Sequence, residues 1–483
     1  MLPETGRPAT ELLAEMAGLR VGDLPVRGGN VTAYIYDTGR PEVHDVAAQA
    51  QMAMLEVNCL DPTAYPSVVA LERQVLAAVA SRLGRADAPG IFTSGGTESI
   101  MLAVKAARDA HPVDGRPELV VPATAHAAFP KAAHYLGLEL VRVPVDPVTF
   151  RAEPAAMAAA ITPRTVLVVA SAPSYAHGVI DPVAEIAKIA AAAGVRCHVD
   201  ACVGGWVLPW LREAGWDVPP FDLSVPGVTS ISCDLHKYGY APKGASVVLF
   251  AQDSLRRHAY FAEAGWPGYP VINPTVQSSR SAGPLAASWA TLQALGASGY
   301  REMAGEAMRS ATRLVEGVRE SPGLRGLRVL GEPAAPLVAI AADDPALSVF
   351  AIADEARARG WFFQCQLSHG DSPANLHFTL TPGVDVEALL VALGEAVAAA
   401  RAAGPPSVPG ELADALRALD LVGMSDADFA GLLELAGFDL EGGDGVPMGL
   451  VNSILDLLPA EHRQALIVRF FSVLYQPLAG SND

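Results

Sequence analysis

The chain has 483 residues, with 34 Lys and Arg against 52 Asp and Glu and a formal net charge of −18. An acidic excess of that size repels a phosphate backbone and argues against a nucleic-acid binder. With 51% hydrophobic and 18% charged residues, the composition excludes a disordered chain and is enough for two or three structural units.

In chain order, residues 1–70 read as an N-terminal arm punctuated by Pro and Gly, with Tyr34 and Tyr36 close together in Val31-Thr-Ala-Tyr-Ile-Tyr36. Between 71 and 300, helical stretches at 68–84, 97–110 and 182–193 alternate with short apolar runs. These runs lie at 90–92, 119–121, 138–143, 166–170, 196–199, 230–233 and 246–250. Helices alternating with short buried strands predict an α/β domain around a mostly parallel sheet. A long helix is expected over 285–320, and residues 301–402 read as a smaller α/β unit. The Gly- and Pro-rich stretch at 403–410 is a linker by composition. Beyond it, 411–483 carries twelve Asp and Glu against three Arg and no Lys, which is half the net charge. The apolar spacing there predicts an acidic tail of amphipathic helices.

No basic segment followed by an apolar stretch opens the chain, and no uncharged apolar run reaches about 18 residues, so neither a secretory signal nor a transmembrane helix is expected. Five cysteines without a CxxC pair favour reduced thiols and a soluble, cytoplasmic protein.

Five segments carry chemistry. Thr93-Ser-Gly-Gly-Thr-Glu-Ser99 follows an expected strand and opens an expected helix. Gly95 and Gly96 let an anion approach the backbone, Thr97 adds a hydroxyl, and the helix start offers free N–H groups. A tight turn alone would use the same residues. His198-Val-Asp-Ala-Cys-Val-Gly-Gly205 puts Asp200 at a strand end, where a carboxylate can hold a ring nitrogen protonated. Ser230-Ile-Ser-Cys-Asp-Leu-His-Lys-Tyr-Gly-Tyr-Ala-Pro-Lys-Gly244 puts Lys237 just past another strand. Among apolar and Gly neighbours, a lysine there suits Schiff-base chemistry better than a solvated surface. Ser171–Pro182 is a strand-end loop with Tyr175, and 125–131 offers His126, which could stack on an aromatic ring. Each segment alone has a structural reading. In their order, they supply an anion cradle, a ring-nitrogen carboxylate and an aldehyde-capturing lysine, which together are the needs of pyridoxal phosphate. No GxxxxGK[ST], GxGxxG or HExxH occurs.

The segments TSGGTESIMLAVKAARD (93–109), AHAAFPKAAHYLGLELVRVP (125–144), HGVIDPV (177–183), HVDACVGG (198–205), GVTSISCDLHKYGYAPKGAS (227–246) and SSRSAG (278–283) resemble the sphingosine-1-phosphate lyase branch of the group II pyridoxal-phosphate-dependent decarboxylases. The resemblance implies fold type I (aspartate aminotransferase-like), with Lys237 carrying the cofactor, Asp200 on the pyridine nitrogen and His126 on the ring face. It implies that Gly95, Gly96, Thr97 and His236 hold the cofactor phosphate, and that Ser278 and Ser279 reach it from the neighbouring subunit of a homodimer. Tyr34, Tyr175, Lys243 and Arg280 fit substrate-facing positions, with Lys243 and Tyr175 as candidates for handling protons. The implied reaction is retro-aldol cleavage of a phosphorylated sphingoid base. Decarboxylation of glutamate, tyrosine or aspartate is the alternative on the same machinery.

Overall fold

The computed structural model describes residues 2–28, 30–406, 408, 423–425, 429 and 448–476. Two helices, α1 (Ala9–Leu19) and α2 (Pro41–Ala53), break up the expected N-terminal arm, and α3 (Pro66–Arg82) follows. Pro41 and Pro66 each sit in the first turn of their helix, where the missing N–H costs nothing.

The central body is a seven-stranded sheet made of β1 (Gly90–Thr93), β2 (Glu118–Pro122), β3 (Glu139–Val143), β4 (Thr165–Ser171), β5 (Arg196–Asp200), β6 (Val228–Asp234) and β7 (Ser246–Phe250). Its spatial order is β1-β7-β6-β5-β4-β2-β3. Only β7 runs against its neighbours β1 and β6, so the other six strands are parallel and their carboxyl ends share one edge. β2, β4 and β7 are buried along their whole length, which is why they read as continuous apolar runs instead of alternating ones. The crossover and flanking helices are α4 (Gly96–Asp109), α5 (Ala128–Leu136), α6 (Pro154–Ala159), α7 (Val183–Ala192), α8 (Gly204–Glu213) and the short α9 (Asp253–Arg256). A small hairpin of β8 (Phe261–Glu263) and β9 (Val271–Asn273) follows.

Helix α10 (Gly283–Glu320) is the expected long helix, bent at Gly296, whose φ of +59° no other residue type adopts cheaply. Leu285, Leu292, Met303 and Met308 on it pack into the core of the main sheet, together with Val43 of α2. Further along, Ala311, Leu314 and Val318 enter a second core. That core lies under a four-stranded antiparallel sheet ordered β10-β11-β13-β12, built from β10 (Leu327–Val329), β11 (Leu337–Ala342), β12 (Gln364–Gln366) and β13 (Asn375–Thr379). Helices α11 (Val349–Ala358) and α12 (Val386–Ala403) cover it. In the acidic tail, α13 (Met448–Leu457) and α14 (Ala460–Leu474) are helical, as the spacing predicts. The rest of that expectation lies largely outside the described residues.

No described helix is long and apolar enough to cross a membrane. All five cysteines are free thiols.

Candidate active site

The shared carboxyl edge of the main sheet gathers the chemistry. Thr93 ends β1, Ser171 ends β4, Asp200 ends β5 and Asp234 ends β6. A cavity of about 350 Å³ opens beyond them, lined by Gly95, Gly96, Thr97, His126, Tyr175, Asp200, His236 and Lys237, among others. All eight of these residues are expected from the sequence, and they converge from five separate loops or element ends. The volume lies within the rough 300–1,000 Å³ range of small-molecule sites.

The floor of the cavity is the start of α4. Its first-turn N–H groups, at Gly96, Thr97 and Glu98, have no intrahelical acceptor and form an anion site with the helix dipole behind it. A run of buried hydroxyls holds this turn: Thr93 Oγ1 lies 2.6 Å from Ser99 Oγ, which lies 2.9 Å from Ser246 Oγ on β7. The buried Glu98 accepts from Ser94 N and from Val276 N, both at 2.7 Å, tying the 274–280 loop to the cradle. Gly96 is sterically required. A Cβ there would lie 2.7 Å from Cys202 Sγ and 2.9 Å from both Asp234 oxygens. Gly96→Ala is therefore expected to weaken cofactor binding roughly tenfold through about 1–3 kcal/mol of overpacking. Equilibrium dialysis with absorbance detection measures this, and unchanged affinity would show that the cradle has room for a methyl group.

One wall is Asp200. It is buried, one of its oxygens accepts from Cys202 N at 3.1 Å, and the other has no hydrogen-bond partner among the described residues. Opposite, the ring of His126 is exposed at the cavity. Ala128 N donates to His126 Nδ1 at 3.1 Å, so any ring proton sits on Nε2. Burial lowers the His126 pKa more than Asp200 raises it, and the ring is neutral near pH 7. Tyr175 stands edge-on to it and donates to Gln364 Oε1 at 2.6 Å. Burial, more than the nearby Tyr36 and Tyr34, raises the Tyr175 pKa and keeps the phenol protonated.

Lys237 lies in the turn after β6, and its Nζ is 3.0 Å from Asp234 Oδ2. Asp234 is 2% exposed and also faces His236 Nε2 at 3.4 Å. Ala245 N donates to His236 Nδ1, so the His236 proton points at Asp234. Burial alone would raise the Asp234 carboxyl, but Lys237 and then His236 outweigh it and hold it well below the usual carboxylate range. Burial alone would lower the Lys237 amine, but Asp234 outweighs that and holds it above its ordinary range. Sequence reasoning missed Asp234. The signal available was its place three residues before Lys237, the spacing at which one turn brings two side chains together.

Five expected residues do not line this cavity. Tyr34 is 56% exposed, and its hydroxyl accepts from Gln364 Nε2 at 3.1 Å. The inward tyrosine of that pair is Tyr36. Its hydroxyl is pushed up to about 12, chiefly by burial and against the charge of Lys237, and its ring packs edge-on against Tyr238. Residue alternation along an extended segment turns Tyr34 and Tyr36 to the same side, but the φ of +64° at Tyr34 breaks that alternation. Lys243 lies behind Tyr36, 5.1 Å from its ring centre, and donates to Tyr34 O at 2.8 Å. Burial and then Lys237 lower its pKa. Arg280 lies 3.8 Å from Glu72 and over the Phe92 ring. Ser278 and Ser279 are exposed on the single chain.

These residues fit pyridoxal phosphate: an anion cradle, a carboxylate oxygen unpaired among the described residues at the end of β5, an open imidazole face and a half-buried lysine all meet one cavity. Together with the sheet order they define a fold type I pyridoxal-phosphate enzyme. Residues 33–341 match the pyridoxal-dependent decarboxylase conserved domain, and 410–473 match a pyridoxal-dependent enzyme C-terminal putative HTH domain. The chain is 39% identical over 383 residues to a sphingosine-1-phosphate lyase of Dictyostelium discoideum, covering 79% of this chain and 70% of that one. The structure of a sphingosine-1-phosphate lyase from Burkholderia pseudomallei superposes with a TM-score of 0.78 at 35% identity, covering 90% of this chain and 96% of that one. A glutamate decarboxylase from Lactobacillus brevis shares the fold at a TM-score of 0.74 and 18% identity, over 85% and 96% of the two chains. The chain belongs to the pyridoxal-dependent decarboxylase family, within its sphingosine-1-phosphate lyase group.

Proposed function

We propose that this enzyme cleaves the Cα–Cβ bond of a phosphorylated sphingoid base to give a long-chain aldehyde and ethanolamine phosphate. The observation that carries the chemistry is the half-buried Lys237 in the turn after β6, facing a cavity bounded by Asp200, His126 and the Gly95–Gly96–Thr97 turn. The substrate class rests on the relatives, which are named for it. When bound, pyridoxal phosphate supplies an electron sink for the pair left by the breaking bond.

The protein's residues do the rest. The carboxylate of Asp200 holds a proton on the ring nitrogen, and the neutral His126 ring fixes the ring plane. Lys237 would hold the cofactor aldehyde, and Asp234, 3.0 Å from its Nζ, would stabilise the lysine as an ammonium once a substrate amine, giving up its proton, takes its place. The 3-hydroxyl proton must go to a base as the carbon–carbon bond breaks. Tyr175 and Tyr36, both kept protonated by burial, can orient the substrate, while the nearby Lys243, its pKa lowered by burial and then by Lys237, is the group suited to that proton. Tyr34 contributes through Gln364, which bridges it to Tyr175.

The working unit proposed is a homodimer in the cytoplasm. Ser278 and Ser279 sit on a loop anchored to Glu98 yet face outward, as residues that complete a second copy's site would. Incubation with sphingosine 1-phosphate should release fatty aldehyde and ethanolamine phosphate in equal amounts. Carbon dioxide from an amino acid, with no aldehyde from the lipid, would replace this reading with an amino-acid decarboxylase.

A further inference from the structure

The C-terminal module has two properties that do not suit a reader of nucleic acid. Residues 411–483 carry twelve acidic groups against three Arg, whereas a helix that enters a DNA groove needs a basic stripe. Its described helices also lie against the catalytic body. Gly449 of α13 donates its N–H to Asp354 Oδ2 on α11 at 2.8 Å, and a Cβ there would lie 2.9 Å from Phe350 O, so the two helices touch backbone to backbone.

The contact extends to one residue just past β12. Asp456 Oδ1 accepts from both Ser368 N, at 2.6 Å, and Ser368 Oγ, at 2.8 Å. Arg463 Nη1 donates to Ser368 O at 2.9 Å, and its Nη2 donates to Asp456 O at 2.6 Å. Both backbone groups of Ser368 are therefore taken by the tail. The next four residues form a tight turn in which His369 and Ser372 exchange N–H···O bonds of 2.9 and 3.0 Å. Ser372 Oγ lies 2.9 Å from His177 Nε2, and the His177 ring stacks on Phe150 at 4.1 Å.

This loop is one wall of a second cavity of about 590 Å³, with Ala125, Phe150 and Leu367 among its apolar surfaces. His126 and Tyr175 border both this cavity and the one beside Lys237. A ligand reacting at Lys237 with a long apolar arm therefore has a second space, with apolar surfaces among its walls, bordering the reacting centre at His126 and Tyr175.

We infer that the C-terminal module is part of the substrate cleft, with Asp456 and Arg463 acting as positioning residues that clamp Ser368 and thereby fix the 367–372 loop against the substrate's apolar chain. The identity of that chain rests on the proposed lyase function. The clamp itself does not.

The test uses the full-length holoenzyme with Asp456→Ala and Arg463→Ala, and Arg463→Lys as a milder change that keeps one donor. Two measurements are made. Amide hydrogen exchange at Ser368 and across 369–372 should quicken by roughly tenfold or more in both alanine variants, with Arg463→Lys in between. The KM for sphingosine 1-phosphate should rise roughly threefold to tenfold, while kcat and the absorbance of bound cofactor stay unchanged. Exchange that does not respond would overturn the clamp. Faster exchange with an unmoved KM would overturn its part in the cleft. If the wild type does not turn over the lipid at all, the lyase reading fails, and the exchange result decides the clamp by itself.

Discussion

Lys237→Ala should yield a protein that no longer holds pyridoxal phosphate through dialysis, lacks the absorbance band of lysine-bound cofactor, and loses at least about a thousandfold in turnover. The size of the effect follows from geometry. Lys237 Nζ is held 3.0 Å from Asp234 at the lip of the cavity, whereas Lys243, the other lysine nearby, is held on Tyr34 O outside it. The substitution also leaves the carboxylate of Asp234 buried without its strongest partner, with His236 and the Ser246 hydroxyl beside it. Removing one partner of a buried pair costs about 3–5 kcal/mol, so the variant should melt earlier near pH 7, with the gap to the wild type narrowing as acid protonates Asp234. Borohydride treatment followed by peptide mapping gives the decisive readout. A cofactor-labelled peptide recovered from Lys237→Ala, at Lys243 or elsewhere, would remove Lys237 from the centre of the site.

Asp234→Asn has a different expected signature, read on the apo-protein as it takes up cofactor. The wild-type Asp234 carboxyl is held below its usual range, so the stability of the pair is fully present above the ordinary carboxyl pKa of about 4 and is lost only as pH falls through the lowered value. The Lys237 amine is held above its usual range, so its share is present below about 10.4 and is lost as pH rises through the raised value. Near pH 7 the pair is intact and the lysine is an ammonium, which cannot attack an aldehyde. In Asp234→Asn the charge partner is gone, and burial becomes the dominant influence on the amine and lowers its pKa. The pH profile of cofactor uptake should shift to lower pH by at least one unit, as stopped-flow absorbance would show. Cofactor-loaded turnover should fall by about tenfold or more, because the leaving ammonium loses its acceptor. A pH profile that coincides with the wild type would mean that Asp234 does not govern the lysine.

Much of this was legible in the sequence for identifiable reasons. Strands such as β2, β4 and β7 are buried on both faces, so they appear as uninterrupted apolar runs, and functional loops follow the carboxyl ends of the parallel strands. Reading what comes after each run therefore finds Gly95–Thr97, Tyr175, Asp200 and Lys237. Helix α2 was hidden in the arm because only Val43 and Ala47 of its thirteen residues are buried, too narrow a stripe to show a period. Asp234 escaped notice because its importance depends on the tight turn after β6, which spacing alone does not disclose. Tyr34 was favoured over Tyr36 because one positive φ angle reverses which of the two faces inward. Ser278 and Ser279 pose a different difficulty. Their expected work is on a second copy of the chain, and nothing in one chain's contacts stands in for it.

The β6–β7 connection has a consequence for how the enzyme keeps its cofactor through a catalytic cycle. β6 and β7 are antiparallel neighbours, paired at their ends through Asp234 and Ser246, so the eleven residues between them form a loop closed at its base. Most strand-end loops in such a sheet lead away into a helix on one face, but this one returns at once to the adjacent strand. Lys237 is thus tethered at both ends within a few residues, and the entropy of confining it is lost in folding, not at each turnover. Once displaced by substrate, its amine stays at a high effective concentration relative to the carbon it must rejoin. With pyridoxal phosphate bound, this tether would favour recapture by Lys237 over loss of the cofactor.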